Sequence, residues 1–266
     1  MIPPFDGNEA LALSNEAAWN QTVRDWERLL ELAPQGCFGK RVDGRLVSTA
    51  AAIVYDRSLA WIGMVLTAEA QRGKGFAREL VAKALAFCDA SGVRCVKLDA
   101  TSLGRPVYAK LGFVEERPVG RWTRAAGPFN GVAENLDGEV DFELDREAFG
   151  VDRSALLRSL AGEEVYAVPG RGYAMSRPGR LARFFGPCVA RDEETARRLA
   201  GAFLARHAGE TAAWDLCDEH EAAVRVAREM GFAPVRRLTR MYRGDAAGTA
   251  LAGGDMIYGL AGFEFG

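Results

Sequence analysis

At 266 residues, 48% of them apolar, the chain can bury one large core or two moderate ones, and its length favours two domains. Thirty-four Lys plus Arg against 36 Asp plus Glu leave a formal net charge of −2, which excludes a strongly basic nucleic-acid or membrane-surface binder. Cys37, Cys88, Cys95, Cys188 and Cys217 are odd in number, widely spaced and without a Cys-x-x-Cys pair, so they read as reduced core residues, with neither disulfides nor a metal expected. With no secretory h-region and no apolar run long enough to span a bilayer, a soluble cytoplasmic protein is expected.

In chain order, residues 9–33 carry Leu11, Leu13, Ala18, Trp19, Val23, Trp26, Leu29, Leu30 and Leu32 among charged residues, which predicts one or two helices. Residues 36–42 and 46–55 read as strands of a hairpin turning at Asp43-Gly44, and Asp56-Arg57-Ser58 turns into a third strand over 59–66 that ends at Thr67. Phe76, Leu80, Val81, Ala84, Leu85 and Cys88 then recur at helical spacing. A strand over 93–98, a short helix over 105–111 closing at Gly112-Phe113, and a strand within 114–124 follow.

Between the third strand and its helix lies Gln71-Arg72-Gly73-Lys74-Gly75-Phe76-Ala77. A glycine-rich turn at a helix start gathers unpaired N–H groups at the positive end of the helix dipole, which suits an anion. Gly73 and Gly75 carry no Cβ to block a phosphate, and Arg72 and Lys74 add cations. Taken alone, the loop fits an ordinary basic turn equally well.

The loop has a second register. Arg72, Gly75 and Ala77 match the pattern Arg or Gln, two residues, Gly, one residue, Gly or Ala, and Thr101, Tyr108 and Gly112-Phe113 follow at fixed distances. Residues 62–113 thereby resemble the GNAT superfamily of N-acetyltransferases, with Thr101 standing where members often carry Asn. The resemblance implies acetyl-CoA as co-substrate. Val65, Leu66 and Thr67 would line its pantetheine arm as an added strand, Arg72, Gly73, Lys74, Gly75, Phe76 and Ala77 would hold its diphosphate, and the Thr101 hydroxyl would make one of the bonds of the usual amide. Tyr108 would give a proton or hydrogen bond to the departing thiolate. Many members place a Glu on the strand before the loop as general base, but residues 59–66 contain no acid; Asp56, Glu69, Asp99 and acids of the second half leave the base unassigned. His207 and His220 read as surface or helix-end residues. The superfamily's usual first strand has no counterpart before Ile2, so a start further upstream is among the expectations.

From about Arg124 the composition shifts, and residues 135–145 read as an irregular acidic connector. A helix over 152–160, strands over 164–167, 173–176 and 182–189, a helix over 192–205, a strand over 212–217, a helix over 220–230 and a strand over 234–242 repeat the order of the first half. At a fixed offset of 119 positions Gly112-Phe113 meets Gly231-Phe232, Arg121 meets Arg240, Asp99 meets Asp218 and Leu80 meets Leu199. Gly73 falls on Asp192, Gly75 on Glu194 and Tyr108 on Ala227, so the second copy should not bind acyl-CoA in the same way. Its match to Asp218 makes Asp99 read as structural, bonding backbone at a strand end. The whole resembles tandem GNAT proteins with a degenerate second domain, a likeness that extends to the Ala-Gly-Phe-Glu-x-Gly run at 261–266.

The expected fold is α/β (α+β), two GNAT-like domains at 1–130 and 131–266, each with a mixed, mostly antiparallel sheet flanked by helices. The expected function is transfer of an acetyl group from acetyl-CoA to a primary amine of a small metabolite, by direct attack in a ternary complex. A non-catalytic acyl-CoA sensor and a protein lysine acetyltransferase are the alternatives. The second domain would wall the acceptor pocket, with Trp214, Met241 or Tyr258 as candidates. Monomer and homodimer are both open, and neither nucleic acid nor membrane is expected as a partner.

Overall fold

The computed structural model describes residues 4–131, 134–245 and 254–266, so Ile2 lies outside the described residues. The first half runs α1 (Gly7–Glu16), α2 (Val23–Leu32), β1 (Cys37–Val42), β2 (Arg45–Val54), β3 (Leu59–Thr67), α3 (Phe76–Ala90), β4 (Cys95–Ala100), α4 (Arg105–Ala109) and β5 (Val114–Arg124). The second runs α5 (Phe142–Phe149), α6 (Ser154–Leu160), β6 (Glu164–Val168), β7 (Gly172–Arg177), β8 (Arg183–Ala190), α7 (Glu193–His207), β9 (Ala212–Cys217), α8 (Glu221–Glu229), β10 (Ala233–Gly244) and β11 (Ile257–Gly259). Reciprocal capping boxes, Asp6 with Glu9 and Thr22 with Asp25, start α1 and α2 as separate helices. Asp43 and Gly44 both take positive φ, 49° and 77°, as a tight hairpin between β1 and β2 requires. The stretch 135–145 is not all connector. Asp141 accepts from the Leu144 N–H at 2.9 Å and begins α5, whose buried Ala148 and Phe149 lie beyond the stretch read as irregular.

The strands form one mixed, mostly antiparallel sheet in the order β1-β2-β3-β4-β10-β5-β9-β8-β7-β6, with β11 added to β8. The order is palindromic under the repeat, β1 answering to β6 and β5 to β10. The sheets expected one per half are therefore joined, by a reciprocal exchange of last strands. β10 of the second half lies antiparallel on β4, β5 of the first lies on β9, and β5 and β10 pair with each other at the pseudo-twofold axis. Hydrophobic alternation specifies that a strand sits in a sheet but not which of two equivalent edges it takes, so the exchange leaves no sequence signal.

Two buried ion pairs join the exchanged strands to their hosts. Arg240 on β10 is bidentate to Asp99 on β4 at 2.9 and 3.0 Å, and Arg121 on β5 is bidentate to Asp215 on β9 at 2.7 Å for both bonds. Asp99 thus matches Asp215 rather than Asp218, and its partner is a guanidinium rather than backbone. Asp218 instead accepts from Trp122 Nε1 and pairs with Arg237. The fixed offset fails here because the second half's connection from β9 to β10 is longer, with nine residues in α8 against five in α4. Both pairs exchange two bonds in the manner that compensates a buried charge.

Alternate strand residues face two layers. Ala52, Ile62, Val96 and Leu98 pack with α3 residues such as Val81 and Leu85, and Ala174, Cys188 and Trp214 pack with α7 residues such as Leu199 and Phe203. On the other face one cluster spans both halves, from Trp26 and Leu29 of α2 through Met175 to Phe149, Leu157 and Phe265. Of the five cysteines, all but Cys217 are buried.

Candidate active site

Strands β3 and β4 are parallel, yet they pair only at Leu59, Ala60 and Trp61 with Cys95, Val96 and Lys97. Beyond Trp61 they part. β3 continues on β2 alone through a register shift at Met64, whose φ is 53°. Thr49 Oγ1 donates to the Met64 carbonyl at 2.9 Å and Ser48 Oγ to the Leu66 carbonyl at 2.6 Å, which pins β3 to its neighbour. Among the described residues no second strand lies beside the edge of β3 that carries Val65, Leu66 and Thr67, so its backbone groups can receive an extended ligand.

At the end of that edge the loop enters α3. Gly73 and Gly75 adopt φ of 77° and 82°, the left-handed region that glycine populates without strain, and a Cβ on either would meet no atom within 4 Å. Gly75 is the N-cap of α3, and no described side chain caps this helix. The contrast with α1, α5 and α7 is informative: each starts on an Asp whose carboxylate accepts from the first turn. The open N–H groups of Phe76 and Ala77, with exposed Arg72 and Lys74 beside them, form a concentration of positive potential facing free space. Arg72 Nε donates to the Thr67 carbonyl at 3.3 Å and Lys74 to Gln71 at 2.8 Å, tying the loop to the strand it leaves.

Across the parting lies Tyr108 on α4. Thr101 Oγ1 accepts from the Gly104 N–H at 3.1 Å, starting the turn, and still has its own proton to donate. Gly104 is there for the tyrosine, since a Cβ would stand 2.8 Å from the ring. Tyr108 is buried, packs edge-on against Phe113 and makes no side-chain hydrogen bond to a described residue. Burial pushes its phenol pKa well up, so it remains protonated.

Tyr108 opens onto a cavity enclosing about 580 Å³ of atom-free space, mouth included, whose walls come from both halves. β3 and β4 give Gly63, Val65 and Asp99, and Thr101 follows β4; the α1–α2 connection gives Trp19 and Gln21; the exchanged strands give Arg121, Arg236 and Leu238. Phe263 and Glu264 complete it, from the segment that follows β11. This segment is fixed by Trp61 Nε1 donating to the Phe263 carbonyl at 2.9 Å and by the Tyr55 hydroxyl donating to the Phe265 carbonyl at 2.5 Å. It presses on β3 so closely that a Cβ on Gly63 would lie 2.7 Å from Glu264 Cα. An acid missing from β3 is thus delivered over β3 by residues two hundred positions later. Glu264 is 4% exposed, accepts from Gln21 Nε2 at 3.2 Å and from Arg177 at 3.4 Å. Burial raises its pKa above the ordinary carboxyl value; Arg177 and Arg121 oppose the shift and Asp25 adds to it.

Of the acids considered from sequence, Asp56 is spent in the β2–β3 turn, accepting from Ser58 and Leu59 N–H groups, and Glu69 is exposed in a short 3₁₀ turn that does not line the cavity. Asp99 lines it but is committed to Arg240. Glu264 lies inside the 261–266 run, where only the tertiary contact with Gly63 distinguishes it. Trp214 and Tyr258 are core residues of the second half and Met241 packs in the first-half core, so none walls this cavity; Arg236, Leu238, Phe263 and Glu264 do so instead. His207 ends α7, buried between Glu164 and Glu210, and His220 caps α8.

The second half has a parallel wedge that it fills itself. β8 and β9 pair only at three positions before parting, and β11 lies on the freed edge of β8, with Trp214 Nε1 donating to the Tyr258 carbonyl at 3.0 Å. At the helix start, the N-cap matching Gly75 is Asp192, two positions from where a fixed offset would set it. Its carboxylate caps the Thr195 N–H at 2.8 Å and pairs with Arg171. This helix start carries its own anion and has no need of a phosphate. Among the described residues no group of three or more His, Cys, Asp or Glu is placed to hold a metal, and no helix is long and apolar enough to cross a membrane.

Comparison with known proteins agrees with the repeat. Residues 9–113 match the model of the acetyltransferase (GNAT) family, and residues 142–251 match that of an acetyltransferase (GNAT) domain. Holothin acyltransferase of Pseudoalteromonas sp. (strain SANK 73390) is 30% identical over 148 residues, which cover 53% of this chain and 49% of that protein. The chain thus spans about half the length of that curated relative. A Pyrococcus horikoshii protein described as an acetyltransferase superposes over 100% of this chain and 94% of its own, at 21% identity and a TM-score of 0.86. A tandem GNAT protein from the clavulanic acid biosynthesis pathway superposes over 91% of this chain and 97% of its own, at 15% identity and a TM-score of 0.61. At these identities the two superpositions speak for the fold.

Proposed function

Both halves of this chain belong to the GNAT superfamily of acetyltransferases, and from that premise we propose an acyl-CoA-dependent N-acyltransferase that moves an acetyl group to a primary amine of a small metabolite. The observation that carries the reading is the parting of β3 from β4 beside a helix start capped by glycine, with Tyr108, whose hydroxyl has no side-chain hydrogen bond to a described residue, at the parting. In this reading residues 1–130 bind acyl-CoA, and residues 131–266 complete the acceptor cavity through β10 and the segment after β11.

Val65, Leu66 and Thr67 would pair with the pantetheine arm, and the loop from Arg72 to Ala77 would hold the diphosphate, mainly through main-chain donors. When bound, acetyl-CoA supplies an activated acyl carbonyl and a thiolate leaving group. Glu264 takes the proton that an ammonium must lose before its nitrogen can attack. Tyr108 donates to the sulfur as the carbon–sulfur bond breaks and the carbon–nitrogen bond forms, and the second proton lost by the nitrogen restores the phenol, so of the two protons the ammonium gives up one leaves through Glu264 and one ends on the thiol. The walls come from both halves and include Trp19 and Phe263, a concave site that favours a metabolite over a peptide as acceptor.

The division of labour in the loop is testable by calorimetry with coenzyme A. Lys74→Ala should weaken binding only two- to threefold, because Lys74 is an exposed, screened charge (roughly 0–1 kcal/mol). Gly75→Val should weaken it at least about tenfold, since a β-branched residue at φ 82° costs about 1–3 kcal/mol and fills the space in front of the N–H groups. Equal, small effects would sink the cradle.

The reading itself is tested by thiol release from acetyl-CoA against amines, amino acids and lysine peptides. Turnover with a small amine is expected. Coenzyme A binding without turnover on any amine would favour a non-catalytic sensor, and turnover confined to peptides a protein lysine acetyltransferase.

A further inference from the structure

The acceptor cavity contains two polar groups without partners among the described residues, and their chemistry narrows the substrate. Four charged residues line it. Asp99 is held by Arg240 and Arg121 by Asp215, each in a bidentate pair, and Glu264 has Arg177 and Gln21. Arg236 is different. It is half-buried on β10 directly opposite Arg121 of β5 and has no ion pair or side-chain hydrogen bond with a described residue. Its guanidinium lies over the Trp19 ring, 5.7 Å from the centroid. Burial and the neighbouring Arg121 cation both lower its pKa, with Asp215 only partly compensating. A cation so placed gains from an anion that enters the cavity, and a planar guanidinium offers a carboxylate two parallel donors. The second group is Gln21 Oε1, buried and without a donor, on the amide whose nitrogen already serves Glu264. It gains from an incoming N–H.

We propose that the acceptor is an aminocarboxylic acid, its carboxylate held by Arg236 and its amine received between Gln21 Oε1 and Glu264. The inference rests on the N-acyltransferase reading above and specifies the substrate class of that site. A ligand with one anionic end and one N–H end satisfies both open groups at once, and neither a plain alkylamine nor a neutral amide does so.

The test sets glycine, β-alanine, 4-aminobutyrate and a panel of L-amino acids against their carboxamides and against amines lacking the carboxyl group. Thiol release from acetyl-CoA is measured, and binding to the coenzyme A complex is followed in parallel by calorimetry. For the preferred acid, kcat/KM should exceed that of its amide about 10- to 100-fold, chiefly through KM, as expected for hydrogen bonds to a charged group. Arg236→Met should erase that ratio by raising the KM of the acid while the amide changes little, and Arg236→Lys should restore part of it. Gln21→Leu should weaken the acid and its amide alike, because both carry the amine. Equal kcat/KM for acid and amide, or a ratio that survives Arg236→Met, overturns the inference. If no amine turns over, the N-acyltransferase reading fails, and the binding arm still decides this one: an acid must bind the coenzyme A complex more tightly than its amide, and do so through Arg236.

Discussion

Glu264→Gln should lower kcat about 10²- to 10³-fold at neutral pH, the range that a positioned general base contributes, while leaving acetyl-CoA affinity within about threefold. The replacement keeps the shape of the side chain and a group able to accept from Gln21 and Arg177, so loss of folding is a poor explanation of lost turnover. The pH profile supplies the independent readout. The active form of the base is the carboxylate, so activity should fall as the pH drops through the Glu264 pKa. Burial raises that value in the protein, which puts the acid limb above the ordinary carboxyl value of about 4.3. The limb should persist, shifted, in Glu264→Asp and vanish in Glu264→Gln. A glutamine variant with native kcat and an unchanged acid limb would remove Glu264 from the chemistry and leave it as a strut for the segment that crosses β3.

Tyr108→Phe should lower kcat about 10²-fold or more, the lower bound for a lost general acid, and change acetyl-CoA affinity little. The hydroxyl makes no side-chain hydrogen bond to a described residue, so its removal breaks nothing in the resting fold. The ring and its contact with Phe113 remain. A melting temperature within a few degrees of the parent, measured beside single-turnover rates, would separate a chemical from a packing role. Unchanged turnover would take Tyr108 out of the mechanism. Because its pKa is raised, the phenol stays protonated across neutral pH, and no alkaline fall in activity near pH 8–9 should be traceable to it.

The readings that succeeded from sequence concern short stretches. The glycines at 73 and 75 mark left-handed φ, and the N-terminal apolar face of α3 follows directly, so a glycine-capped helix start was legible from seven residues. Thr101, Tyr108 and Gly112-Phe113 carry the family resemblance, and α4, a single compact turn between Thr101 and Gly112, keeps their spacing. The repeat was legible as well, since each half must bury the same pattern of strands and helices. It misled in detail wherever a connection differed in length: an ungapped offset equated Asp99 with Asp218, whereas the buried pairs equate it with Asp215. The acceptor walls were misassigned for a related reason. Large apolar residues such as Trp214 and Tyr258 are abundant in any core, and nothing in their local sequence separates a core position from a cavity wall.

The sequence by itself determined that this chain is a doubled α/β protein with one glycine-capped helix start, one tyrosine in register with it, and a second copy whose helix start carries an acid. These are properties of neighbouring residues, set by backbone dihedrals, capping and hydrophobic period. Only the tertiary structure decided the strand exchange that joins the halves into one sheet, the arrival of Glu264 over Gly63, and the two open groups of Arg236 and Gln21. Gln21 and Glu264 meet across a separation of 243 residues. A contact of that kind leaves no period and no motif, because its energy comes from desolvation and charge pairing among side chains that share a cavity only after the chain has folded.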